Sequence, residues 1–184
     1  MGKHDEALEM HAKSLEIMTR INGDIHRDVA ASYGNMGVAL MKMAKYEEAL
    51  VMYSKSLEID IRVHGDSHPL VADSFNKIGA VYERKVDLEN ALVHLQNSLE
   101  MNLKLLGSEH PLVADSWCNM GLALAEMGKY EEALEMYSKL LEIDIRFHGD
   151  SHPNVAATYQ NLAVLYQDRE TKYRQKRWPL RHTI

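Results

Sequence analysis

The feature that most constrains this chain is a period. Gly23, Gly65, Gly107 and Gly149 stand 42 residues apart, and so do His26, His68, His110 and His152. Tyr33, Phe75, Trp117 and Tyr159 keep the same frame, as do Pro69, Pro111 and Pro153, with Arg27 in the first register. Two periods apart the likeness is closer still. "KYEEALVMYSKSLEIDIRVHGDSHP" from Lys45 and "KYEEALEMYSKLLEIDIRFHGDSHP" from Lys129 differ only at Val51/Glu135, Ser56/Leu140 and Val63/Phe147, which points to duplication of an 84-residue unit. A chain that repeats itself at such an interval folds as an array of like units, each burying its apolar face on its neighbours.

Within one period the apolar residues fall at helical spacing. Tyr33, Met36, Gly37 and Leu40 lie at i, i+3, i+4 and i+7, and Phe75, Ile78, Gly79, Tyr82 and Trp117, Met120, Gly121, Leu124 repeat the pattern. The next stretch does the same through Tyr46, Ala49, Leu50, Tyr53 and Leu57. Each repeat therefore holds two amphipathic helices, A and then B, joined by a short turn such as "MAKY" or "MGKY". Gly37, Gly79, Gly121 and Ala163, with Ala49, Ala91 and Ala133, are small enough to let neighbouring helices approach closely.

The A half, Trp117-x-x-Met120-Gly121-x-x-Leu124, and the B half, Ala133-x-x-x-Tyr137, follow the tetratricopeptide pattern. The usual unit has a proline closing helix B; here Ile61, Leu103 and Ile145 occupy that place. Helix B is thus expected to run on for eight more residues, about 12 Å at helical rise, until Gly65, Gly107 or Gly149 stops it. This 42-residue form resembles the kinesin light chain type of tetratricopeptide array. The shared features are the G-x-x-HP turn from Gly107 to Pro111, the Val113-Ala114 that follows, and the steps Asn35-Met36-Gly37, Asn119-Met120-Gly121 and Asn161-Leu162-Ala163. The resemblance covers roughly residues 4 to 168. The fold expected is all-α, a right-handed superhelical solenoid of antiparallel helix pairs. Residues 1–168 form the array, with a leading B helix, three full repeats and a fourth A helix. Residues 169–184 form a basic, degenerate C-terminal helix or tail.

The repeated "GDSHP" carries three kinds of side chain used in catalysis or metal binding, so it admits two readings: a His-based metal-dependent enzyme, or helix punctuation. Gly65 suits the residue after a helix end, Pro69 suits the first helical position, and Asp66, Ser67 or His68 can cap the exposed amides. His64 and His68 are four apart, but a glycine stop intervenes, and Leu106 replaces the first histidine in the second repeat. Punctuation is the expected role. No glycine-rich phosphate loop or paired-carboxylate motif stands out, and Cys118 lacks a recurring His and Asn arrangement for a nucleophile. The chain is expected to be no enzyme, with no catalytic residues, no metal and no cofactor.

The net charge of −6 is uneven. From Arg169 onward six basic residues face Glu170 alone, leaving the remainder at −11. So acidic a body argues against nucleic acid as a partner. No apolar run approaches 18 residues, so no membrane span is expected, and the acidic N-terminus is not a secretory signal. A single cysteine suits a reducing compartment, here taken as the cytoplasm.

The expected function is a non-catalytic scaffold or adaptor that binds a protein or peptide partner in the concave groove lined by A helices. Asn35, Asn119 and Asn161 occupy one register, with Lys77 in the second repeat, and Asn76, Gln160, Asp73 and Asp115 lie beside them. An amide there can donate to a peptide carbonyl and accept from its N–H. The resemblance to kinesin light chains implies that the matching asparagines grip cargo peptides. The wall offers only Lys77 with Arg84 near its edge, unlike the Lys/Arg clamp of chaperone-binding tetratricopeptide domains. The same shortage departs from the tryptophan-plus-acidic cargo expected of light chains, so a neutral or mildly basic segment or a partner helix suits it better. The alternative expectation is a self-assembling repeat module that forms homo-oligomers through its terminal helices, since neither end shows a polar capping helix.

Overall fold

The computed structural model describes residues 2–177, and side chains from 5 to 174. Among these the chain is built of eight α-helices: α1 (Gly2–Asn22), α2 (Arg27–Lys42), α3 (Tyr46–His64), α4 (Pro69–Arg84), α5 (Leu88–Leu106), α6 (Pro111–Glu126), α7 (Tyr130–His148) and α8 (Pro153–Arg177). The even-numbered helices are the A type and the odd-numbered ones the B type. The chain divides into two compact units, one ending at Ser108 and the other starting at Glu109. Helices α1 to α5 make the first unit, and α6 to α8 the second.

The lengthened B helix is present in all three full repeats. Helices α3, α5 and α7 each run 19 residues and end at Gly65, Gly107 and Gly149, whose φ values of +85°, +79° and +81° lie where side-chain-bearing residues rarely go. Three residues later each A helix begins on a histidine cap. The Nδ1 atoms of His26, His68, His110 and His152 accept the backbone N–H of Asp28, Leu70, Leu112 and Asn154, each at 3.2 Å. Of the three candidates in "DSH", the histidine is the residue that caps. It does so equally where Arg27 replaces proline and where Leu106 removes its upstream neighbour. His64 and His68 also stack at 4.3 Å between ring centroids, and His148 and His152 at 4.2 Å.

Within a repeat the A and B helices lock through the small residues of A. Gly37 lies against the Tyr53 ring, Gly79 against Leu95, and Gly121 against the Tyr137 ring. Around these contacts the buried residues Leu40, Ala49, Tyr53, Ile78 and Val81 form one cluster of the first unit, and Val29, Ala30 and Ile59 another. Helices α3 and α7 are also tied to the A helix that follows by a buried polar pair. Ser74 Oγ donates to Asp60 Oδ2 at 3.4 Å in the first unit, and Thr158 Oγ1 donates to Asp144 Oδ2 at 3.1 Å in the second.

The last described helix differs from the earlier A helices, each of which is followed by a turn into a B helix. Helix α8 instead continues unbroken to Arg177. In the other repeats the A–B turn passes through Ala44, Val86 and Gly128 at positive φ. For Ala44 and Val86 the left-handed conformation costs roughly 1–2 kcal/mol, offset when Ala49 and Tyr53, or Ala91 and Leu95, are buried by the B helix. Glu170 holds the same register, but "YRQKRWPL" offers no such apolar pattern after it, so the helix has no packing to gain by turning. Ala163, in the register of the packed glycines, is accordingly exposed, and so is Tyr159. The remainder of the expected 169–184 tail lies outside the described residues.

Candidate functional site

The exposed face of each A helix follows from its own periodicity. With Val29, Ala30, Gly37 and Leu40 of α2 turned inward, Ala31, Asn35, Val38 and Lys42 are left exposed. On α4 the same register brings out Asp73, Lys77 and Arg84. Lys77 Nζ lies 2.5 Å from Asp73 Oδ2, one helical turn away, so this carboxylate is ion-paired on its own helix. Asn76 and Lys77 are half-buried and Asp73 is exposed. The hydroxyl of Tyr53, buried beneath this face, is pushed up to about 12 by its burial and by the nearby Asp73 charge.

In the second unit α6 and α8 together line a cleft of about 210 Å³. Leu122, Ala125 and Glu126 come from α6, Asn161, Val164, Leu165 and Asp168 from α8, and Tyr137 of α7 lies between. Tyr137 and Leu165 are fully packed, 2 % exposed each, while Leu122 and Val164 keep 37 % and 55 % of their surface open. Asn161, one of the asparagines expected to line the A-helix wall, thus meets Leu122, Ala125 and Val164 in one cleft. Gln160 is exposed on the adjacent side of α8, and Asn119 is half-buried on α6. Asp115 lies one turn before Asn119. Its carboxyl is pushed above the usual carboxylate range, chiefly by burial and further by the neighbouring Asp144 charge.

Two features of these faces were not singled out from the sequence. The buried Asp60–Ser74 and Asp144–Thr158 pairs left a signal, since Asp60, Asn102 and Asp144 share one register, as do Ser74, Ser116 and Thr158. The other is the register that closes α2, α4 and α6, where Lys42, Arg84, Glu126 and, within α8, Asp168 change sign along the chain.

Among the described residues no group of three or more His, Cys, Asp or Glu side chains is placed to hold a metal ion. No described helix is long and apolar enough to cross a membrane. Cys118 is a half-buried thiol on α6.

The sequence model of the tetratricopeptide repeat matches residues 1–50, 28–86, 75–144 and 112–175. Among solved structures, a point variant of a kinesin light chain-type protein of Podosopora anserina with nearly identical TPR-like repeats superposes with a TM-score of 0.80 at 22% identity, covering 96% of this chain and 83% of that one. BtubC (BKLC) from P. vanneervenii gives 0.78 at 19% identity, with 91% and 67% covered. The apo form of RapI gives 0.77 at 21% identity, with 95% of this chain and 61% of RapI covered. No curated protein sequence matches the chain.

Proposed function

Because the chain belongs to the tetratricopeptide repeat family, whose helix pairs serve as protein–protein interaction modules, we propose that it is a non-catalytic scaffold or adaptor holding a peptide or partner helix against its A-helix faces. The observation that carries this reading is the α6/α8 cleft. It combines an apolar floor, two open aliphatic walls and the Asn161 amide, the mix of apolar contact and a few placed polar groups that a recognition site needs. Asn35 and Lys77 would act alike on the first unit, with Asn76 and Asp73 beside them. Asn119, Gln160 and Asp115 would do so on the second. An amide at this register holds a peptide backbone by donating to a carbonyl and accepting from an N–H, while Ala31, Ala80 and Ala125 leave room for its side chains. The lone Cys118 fits work in the reducing cytoplasm.

The test is a random-peptide display selection on the purified chain. Hits are rechecked on a folded variant carrying Asn35→Ala, Asn119→Ala and Asn161→Ala. A consensus motif whose binding is lost in the variant supports the reading, and no enrichment on folded protein overturns it. A second reading, self-association, is favoured by the row of Met10, Ile17 and Ile21 on α1, of which Ile21 is 70 % exposed. At Ile17's register in the later repeats Ile59 and Ile143 are buried and Met101 is half-buried. Sedimentation equilibrium decides it, since a monomer mass up to high concentration removes it.

A further inference from the structure

The face of the second unit differs in charge from that of the first at two registers. The register that closes α2, α4 and α6 carries Lys42, Arg84 and Glu126, and within the longer α8 it carries Asp168, each 42 residues from the next and all exposed. The position is basic in the first unit and acidic in the second. Asp73 is ion-paired with Lys77 one turn on, whereas Asp115, in the same register, is followed at that spacing by Asn119. From Pro111 to Glu126 and from Pro153 to Asp168 there is no lysine or arginine at all.

Two cations that follow Asp168 on α8 are engaged elsewhere. Arg169 pairs with Glu131 at 3.3 Å and lies over the Tyr166 ring. Lys172 lies over the Tyr130 ring and donates to the Gly128 carbonyl. Among the described residues no lysine or arginine ion-pairs with Asp115, Glu126 or Asp168. Glu126 and Asp168 stand at the α6/α8 cleft, whose 210 Å³ falls below the ~300–1,000 Å³ of small-molecule sites. It admits a side chain rather than a whole small ligand.

We propose that the α6/α8 face of the second unit binds a cationic, apolar peptide segment, with one leucine-like or aromatic side chain in the cleft and lysine or arginine side chains against Glu126, Asp168 and Asp115. The inference rests on the reading of the A-helix faces as peptide-binding and names the chemistry of the partner. Carboxylates on one face with no lysine or arginine paired to them favour a cation and reject an acidic segment. Asp115 and Glu126 are eleven residues apart on α6, roughly 16 Å at helical rise. An extended peptide crosses that distance in about five residues, which sets the spacing between its cations. A cation beside Asp115 also opposes the burial and the Asp144 charge that push its carboxyl upward.

Fluorescence anisotropy on the full chain tests this with three labelled ten-residue peptides at low salt: alternating arginine and leucine, alternating glutamate and leucine, and alternating arginine and serine. The arginine–leucine peptide is expected to bind, the glutamate–leucine peptide not to bind, and the arginine–serine peptide to bind roughly fivefold more weakly for want of a side chain in the cleft. Combining Asp115→Asn, Glu126→Gln and Asp168→Asn should weaken the first peptide about tenfold, the loss of three exposed ion pairs. A folded control variant with Glu132→Gln, Glu135→Gln and Glu142→Gln has the same net charge and should change binding by less than about twofold. Equal weakening by the two triple variants, equal binding of the acidic peptide, equal binding of the serine peptide, or no binding at all overturns the inference. A display consensus that depends on the asparagines but is acidic or uncharged leaves the peptide-binding reading standing while this inference fails.

Discussion

Gly34 and Gly37 are both buried in α2, one turn apart, and alanine at each is expected to shift stability in opposite directions. At Gly34 an added Cβ would meet only Ser56 Oγ, at 3.6 Å, an ordinary contact. Replacing a mid-helix glycine by alanine then stabilises by about 0.5–1 kcal/mol through backbone entropy. At Gly37 the same Cβ would fall 2.5, 2.7 and 2.8 Å from three atoms of the Tyr53 ring. Carbon atoms pack at about 3.5–4.0 Å, so the ring or the helix must move by roughly 1 Å. Tyr53 is 4 % exposed and cannot swing into solvent. Overpacking of this kind costs about 1–3 kcal/mol, against the same propensity gain of about 1 kcal/mol. Gly37→Ala is therefore expected to lose about 1 kcal/mol and Gly34→Ala to gain up to that amount, a separation of roughly 4–8 °C in Tm at about 2–4 °C per kcal/mol for a chain of this size. Thermal and urea melts followed by circular dichroism at 222 nm measure it. Because both variants gain the same helix propensity, their difference isolates the Tyr53 contact. Gly37→Ala melting at or above Gly34→Ala would refute the packing argument.

Three other outcomes are expected. Val86 holds φ +60° while 78 % exposed, so Val86→Gly relieves a left-handed β-branched residue without losing packing and raises stability by about 1 kcal/mol; a lower Tm would show that the side chain stabilises the turn by more than its strain costs. His68→Ala removes the cap on α4 and should cost about 1 kcal/mol, with His68→Asn recovering most of it; equal melts for the two variants would show that the cap is not what the histidine supplies. Asp60 has its carboxyl pushed up by burial, more than the Ser74 hydroxyl and the charges of His64, Lys77 and His68 pull it down. Its folded state therefore holds the proton longer than the unfolded state, so its contribution is intact below the ordinary aspartate value of about 3.9 and is lost as pH rises through the folded value. Asp60→Asn, which copies Asn102 at the same register, should match or exceed the parent chain at pH 7 and lose that advantage by about pH 4. A constant difference between the two chains across that range would contradict the sign.

The period made most of the fold legible, because spacing encodes helix faces directly. Gly37, Gly79 and Gly121 fall where a B helix touches an A helix, and Gly65, Gly107 and Gly149 fall where positive φ is needed, so composition and geometry point the same way. What stayed hidden depended on energy balance or three-dimensional choice. Three residues of "DSH" could cap, and only the extended backbone of His68 aims its Nδ1 at the Leu70 amide. The turn at Val86 runs against local propensity and is held by the burial of Ala91 and Leu95. At Glu170 the same turn has no such support and α8 goes on. For the candidate face, the shared register placed Asn161 on the A-helix wall, but it could not show that Asn161 borders one cleft with Leu122, Ala125 and Val164 and with Tyr137 at its base.

A repeat array also separates two kinds of constraint that are confounded in a chain without repeats. A residue that recurs at every register, like the four capping histidines, answers a demand of the fold that every unit shares. A residue that varies at an exposed register is released from that demand, since the neighbouring repeats fold with other side chains there. Lys42, Arg84, Glu126 and Asp168 occupy such a register, and the fold accepts either charge in it. No packing requirement therefore explains the sign change, because the side chains are exposed and surface charges alter stability by at most a few tenths of a kcal/mol each. The physical quantity that does change is the potential over the A-helix face, which acts on whatever approaches it. Exchanging the signs separates the two roles: Glu126→Lys with Asp168→Lys should leave the melting curve within about 0.5 kcal/mol while reversing the preference between arginine-rich and glutamate-rich peptides. A large loss of stability with the preference unchanged would place these carboxylates among the structural residues instead.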